Sequence, residues 1–166
     1  MRVWVVPLEE LSDQHILGQH QEWHMLEAMM RSKQFANHPL VRFFREKKPW
    51  LHRFHQELVF EMWTRFGATN PDLHRTPSPW FTWWSDYVVL YKHQPYINWP
   101  QSWIDYDRED LRRRSLERPK LRFKKTSPPA WWRKESDLEL PLGPIPIHAY
   151  ASPETFGKYT YQGVPT

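Results

Sequence analysis

Trp50, Phe54, Leu58, Met62 and Phe66 recur at every fourth position, with Leu51, Val59 and Trp63 alongside. Apolar residues at i, i+1, i+4 and i+8 share one stripe of an α-helix, whereas in a strand they would divide between two faces. The spacing therefore predicts a helix from about Pro49 to Phe66. Pro49 falls in the first turn, where a missing N–H costs nothing, and Gly67 stands just past the end.

The remaining elements are read against that helix. Ser12 is an N-cap candidate for a helix from about Asp13 to Ser32, with Ile16, Leu17, Trp23, Leu26 and Met30 as its apolar stripe. A loop follows through Asn37-His38-Pro39. A third helix is expected to start near Asp107, where Glu109 and Asp110 favour its positive N-terminal end, and to stop near Arg118, before Pro119. Ahead of Ser12, Met1 to Pro7 form a short arm that could pass for a strand but ends in proline. Residues 68–104 are rich in Pro and Trp. A helix is possible within Phe81–Lys92, limited by the prolines on either side. The tail after Glu135 has no periodicity. The expectation is an all-α fold: a single compact domain of about three main helices, with long Trp/Pro-rich loops and an irregular C-terminal tail. Residues 1–134 would form the helical domain, with 68–104 inserted, and 135–166 the tail.

Composition excludes several chemistries. Among 166 residues there is no Cys, which removes disulfides, thiolate nucleophiles, Cys-bound zinc and iron–sulfur clusters together. That absence fits a reducing, cytoplasmic location. No apolar run approaches the ~20 residues of a membrane span, and the N-terminus lacks the apolar core of a signal peptide. A net charge of +4 allows a polyanionic partner. The 11 Trp residues suggest either an aromatic core or surfaces on which bases stack.

Several side chains could carry chemistry. A free α-amino group has a pKa of about 7.7–8.0, so a useful fraction is uncharged near neutral pH. If the arm folds back along its helix, Glu22 could lie beside that amine, a pairing suited to imine chemistry. Read alone, Glu22 would be a solvated carboxylate. His20 and His24 share a helix face and could bind a metal. No further ligand follows at a recognisable spacing, so they read as surface histidines, and neither metal nor cofactor is expected. Arg112, Arg113, Arg114, Arg118, Lys120, Arg122, Lys124 and Lys125 form a basic run that is either a solvated face or a phosphate track. Trp131-Trp132, beside Pro129 and Arg133, suits loop packing and nucleotide contact about equally.

Glu10-Leu11-Ser12-Asp13-Gln14-His15, followed seven residues later by Glu22, resembles the start of the phage-type pyrimidine-dimer DNA glycosylase/AP lyase, or phage endonuclease V, family. Arg42-Phe43-Phe44 before the second helix, Trp103-Ile104-Asp105-Tyr106 before the third, and Pro129-Ala130-Trp131-Trp132-Arg133 are similar in order. The resemblance implies that an N-terminal amine attacks C1′ of a damaged nucleotide, a Schiff base forms, the base leaves, and the backbone is cut by β-elimination. It makes Met1, Glu22 and His15 catalytic. It puts Arg2, Gln14, Gln21, Arg114, Arg118, Lys120, Lys124, Trp131, Trp132 and Arg133 on double-stranded DNA carrying a damaged or modified base, with the protein a monomer. Met1 stands where the family has Thr, and Arg2 is too bulky for Met removal. Gln21 and Met25 replace two family arginines. The alternatives are a DNA base-modifying transferase on the same scaffold and a catalytically inactive DNA-binding protein.

Overall fold

The computed structural model describes residues 2–66, 98–118, 120–123, 127–140, 142–143 and 145–149, leaving out the side chain of residue 49. Among them are four α-helices and no strand: α1 (Asp13–Arg31), α2 (Pro39–Arg45), α3 (Lys48–Phe66) and α4 (Gln101–Glu117). Short 3-10 turns lie at Leu8–Glu10, Lys33–Phe35 and Ile147–Ala149. The fold is all-α, as expected. The helix anticipated within Phe81–Lys92 lies outside the described residues, as does most of the Trp/Pro-rich segment.

Ser12 caps α1 by accepting the backbone N–H of His15 on its hydroxyl, which satisfies one of the four orphan donors of the first turn. The long helices α1 and α3 pack on each other. Ile16, Trp23 and Leu26 from α1 meet Leu51, Phe54, Leu58 and Met62 from α3 in one buried cluster. Burying each such side chain stabilises the fold by roughly 1.5–3 kcal/mol. Trp23 also donates its indole N–H to the Leu51 carbonyl at 2.6 Å, so a large aromatic is buried without stranding its polar atom.

Two elements differ from expectation. The stretch after His38 is a helix rather than the tail of a loop. Pro39 takes its first position, and Leu40, Val41 and Phe44 bury one side of it. Seven residues are too few for a periodic signal to stand out. The last helix begins at Gln101, not near Asp107, so Trp103-Ile104-Asp105-Tyr106 lies inside it. Its first hydrogen bonds run from the Trp103 and Ile104 N–H groups to the Pro100 carbonyl. The proline forms the boundary, and the acidic residues read as an N-terminal signal sit further along.

Arg65, fully buried near the end of α3, joins that helix to the N-terminal segment. Its guanidinium donates to the carbonyls of Leu8 (2.9 Å) and Leu11 (2.5 Å) and to the carboxylates of Glu61 (2.7 Å) and Asp13 (3.3 Å). The expected irregular tail is not wholly detached. Ile145 and Ala149 pack with Tyr106 of α4, and His148 is buried against Asp107 at 3.0 Å.

Candidate active site

The N-terminal arm is extended and its residues Val3 to Val6 are buried. It runs antiparallel to α1. The Trp4 N–H donates to Oε1 of Gln19 at 2.6 Å, and nearer the terminus the backbone of Arg2 hydrogen-bonds the Glu22 carboxylate. On its other side the arm is fixed by α4. The Val5 N–H donates to Oδ2 of Asp107 at 2.8 Å, and the Arg2 guanidinium reaches Oδ1 of Asp107 at 2.5 Å and also pairs with Asp110. The arm is thus a buried strand-like strip held by side chains instead of a sheet. Gln19 and Asp107 take the ladder hydrogen bonds that a neighbouring strand would have supplied.

Glu22 is half-buried at the end of this strip. Burial is the largest influence on its carboxyl and pushes its pKa up. The positive charge of the chain's amino terminus and the Arg2 backbone hydrogen bond pull the other way. A carboxyl raised toward neutrality exchanges protons more readily at the pH where most enzymes work. Met1 itself lies outside the described residues.

His15 lies in the first turn of α1. Its Nδ1 lies 2.8 Å from the Ser12 hydroxyl, and its ring meets Trp4 edge-on at 5.5 Å between centroids. Its pKa is lowered to about 4, first by burial, then by the charges of Arg114, Arg118 and Arg2, with Asp110 opposing. His15 is accordingly a neutral imidazole surrounded by cations. His38, at the N-cap of α2, was not singled out from the sequence. Burial lowers its pKa and the amino-terminal charge lowers it further. Only its place before a helix-starting proline marked it, and that signal speaks of capping, not of chemistry.

The residues expected on DNA separate into groups. Arg118, Lys120 and Arg133 are exposed. Arg114 is partly exposed and pairs with Asp110 at 3.1 Å. Arg2 is only 14% exposed and its guanidinium is committed to Asp107 and Asp110. Gln14 fastens the loop after α4: it accepts the Arg122 N–H at 3.0 Å and donates to the Lys120 carbonyl at 3.4 Å. Gln21 is exposed on α1. Trp131 packs against the main core. Trp132 meets Phe123 edge-on at 4.9 Å. Lys124 lies outside the described residues. Arg112, part of the same basic run, is buried and held by Glu109 at 2.5 Å, so it is internal structure and not part of a phosphate track. Arg133 has a positive φ of 54°, and its N–H donates to the Ser115 hydroxyl at 3.0 Å. This bond pins the 130–133 turn to α4.

Residues 1–74 match the family model described as pyrimidine dimer DNA glycosylase. The match spans the arm, α1, α2 and α3, and so bears out the resemblance over that part of the chain. It stops short of α4 and the basic residues after it. No curated protein and no solved structure matches the chain significantly. Among the described residues no helix is long and apolar enough to cross a membrane.

Proposed function

We propose, on the premise of that family likeness, that the chain is a DNA glycosylase/AP lyase acting on damaged or modified pyrimidines through its N-terminal amine. The observation that carries the reading is the course of the arm: anchored at Gln19 by Trp4, it proceeds along α1 to Glu22.

In this reaction the neutral amine attacks C1′ as the bond from C1′ to the base breaks. The base leaves, taking a proton from solvent. Glu22 takes the proton shed by the attacking amine and passes it to O4′ as the C1′–O4′ bond breaks and the sugar ring opens. A cationic imine remains between the sugar and the terminus, and Glu22, again a carboxylate, stabilises its charge. Removal of a 2′ proton drives β-elimination and breaks the C3′–O bond. Reaching C1′ means taking the base or its partner out of the stack, at a cost of a few kcal/mol. The exposed cations Arg118, Lys120 and Arg133, together with Arg114, supply compensating phosphate contacts. His15, kept neutral, adds no charge of its own to that basic surface and can accept or donate a hydrogen bond as its tautomer requires.

Borohydride trapping tests the reading. Wild-type protein mixed with DNA carrying an abasic site or a pyrimidine dimer should give a covalent adduct. Acetylation of the N-terminus should abolish it while the fold survives. Absence of an adduct on both substrates, or an adduct from blocked protein, eliminates the imine mechanism. Product analysis on modified DNA would then separate a base-modifying transferase from a protein that only binds DNA.

A further inference from the structure

On the side of α1 away from the arm, three imidazoles from two helices converge. Nε2 of His20 lies 3.1 Å from Nε2 of His55 and 3.2 Å from Nε2 of His24. One ligand nitrogen from each ring can be chosen so that all three lie within 4.8 Å of one another. His20 and His24 are one turn apart on α1, and His55 enters from α3. The sequence shows the first two as a pair on one face. The third is remote in the chain and becomes a neighbour only because α1 packs on α3.

We propose that His20, His24 and His55 bind a divalent transition-metal ion of the zinc class, which staples α1 to α3. The spacing suits that ion. Two nitrogens bound at 2.0–2.1 Å with tetrahedral angles stand about 3.3 Å apart, close to the two separations seen here. The donor chemistry also suits it. A ring nitrogen carries either one N–H or one lone pair, so Nε2 of His20 can serve only one of its two neighbours by hydrogen bonding. A cation accepts the lone pairs of all three rings together. Imidazole ligands select zinc, copper or nickel over magnesium or calcium. His20 and His55 are buried, while the His24 side chain is 29% exposed. That exposed side offers an entry path and room for water as a fourth ligand.

A carboxylate stands nearby. Nδ1 of His24, the nitrogen that would face away from the ion, lies 3.9 Å from Glu27, which is itself held by Arg31. A small shift of either side chain would bring the two to hydrogen-bonding distance, the contact by which carboxylates orient metal-bound histidines. The site is separate from the proposed catalytic one. Glu22 is two residues, or about 200° around the helix, from both His20 and His24. The ion would sit across α1 from the arm and act on structure, so the inference does not depend on the imine reading.

The test uses the full chain, freed of metal with a chelator, titrated with Co2+ and with Zn2+ alone. Wild-type protein should bind one equivalent, show the visible absorption of tetrahedral Co2+, and melt at a higher temperature with Zn2+ than without. His24→Gln alters the most exposed ligand, and its circular dichroism establishes that it folds. Loss of a supporting residue alone weakens metal affinity about 10–100-fold, so loss of this ligand should weaken it by at least tenfold and remove the tetrahedral spectrum. Wild-type protein that shows neither the spectrum nor the rise in melting temperature would overturn the site. So would a folded His24→Gln that binds as tightly as wild type.

Discussion

Among single residues, Glu22 joins the fold to the proposed chemistry most directly. Its carboxyl is raised by burial yet kept within reach of positive charge, a combination suited to passing protons in both directions. Glu22→Gln preserves shape and removes the titrating group. It should leave DNA binding nearly intact and lower single-turnover cleavage by about a hundredfold or more, the usual weight of a positioned acid–base group. Unchanged cleavage would remove Glu22 from the mechanism. His15 makes a different prediction, about stability. In the unfolded chain it takes up a proton near its ordinary value of 6.5, but in the folded protein only near 4. Between those values the unfolded state holds the extra proton, so stability is full above about pH 6.5 and falls as pH drops toward 4. At about 1.4 kcal/mol per pH unit, the contribution is of order 3 kcal/mol. His52, lowered to about 4 by burial and then by Lys48 and Arg31, adds a loss of the same sign. Urea denaturation of wild type, His15→Gln and His52→Gln across pH 4–7 checks this. Each variant should show a shallower fall, and parallel curves would contradict the assignment.

At the scale of elements, the N-terminal segment is held to the long helices by a few buried polar side chains. Arg65 is the clearest case, since its carbonyl partners belong to residues 8 and 11 and its carboxylate partners to α1 and α3. Arg65→Met keeps much of the bulk but leaves the Asp13 carboxylate and two carbonyls short of a donor in the interior. The expected cost is about 3–5 kcal/mol, read as a lower midpoint in thermal or chemical denaturation. A loss under about 1 kcal/mol would mean that water replaces the guanidinium. Such polar ties explain what the sequence could and could not disclose. The Ser12 cap and the four-residue period of α3 are local, so α1 and α3 were legible almost to the residue. The α4 boundary was displaced because acidic residues were read as an N-terminal signal when Pro100 already ended the preceding segment. The short α2 had no period long enough to notice. Glu22 was legible through its motif. The partners that position the arm were not: Gln19 lies 15 residues from Trp4, and Asp107 and Asp110 lie more than a hundred from Val5 and Arg2, and nothing along the chain announces such contacts. His55 was hidden for the same reason.

For the molecule as a whole, charge distribution is the property most open to test. Arg114 and Arg118 act on His15. Gln14 ties the start of α1 to residues 120 and 122, and Arg133 reaches the Leu121 carbonyl at 3.4 Å. These contacts gather the exposed cations around the N-terminal turn of α1. If about four of them meet phosphates, the log–log dependence of DNA affinity on salt should have a slope on the order of −3 to −4. Arg118→Ala should reduce that slope by about 1 without altering preference for a lesion. Binding indifferent to salt would show that this face is merely solvated.

Asp107 connects the two ends of the described chain. Its buried carboxylate accepts from Val5 and Arg2 of the arm and meets His148 near the last described residues. The ribosome makes residue 148 more than a hundred residues after the arm. A nascent chain can form α1, α2 and α3 early, but the carboxylate that secures the arm does not acquire its full set of partners until 148 has emerged. Completion of the site thereby waits on residue 148, and a truncation ahead of His148 would loosen the arm more than a hundred residues away.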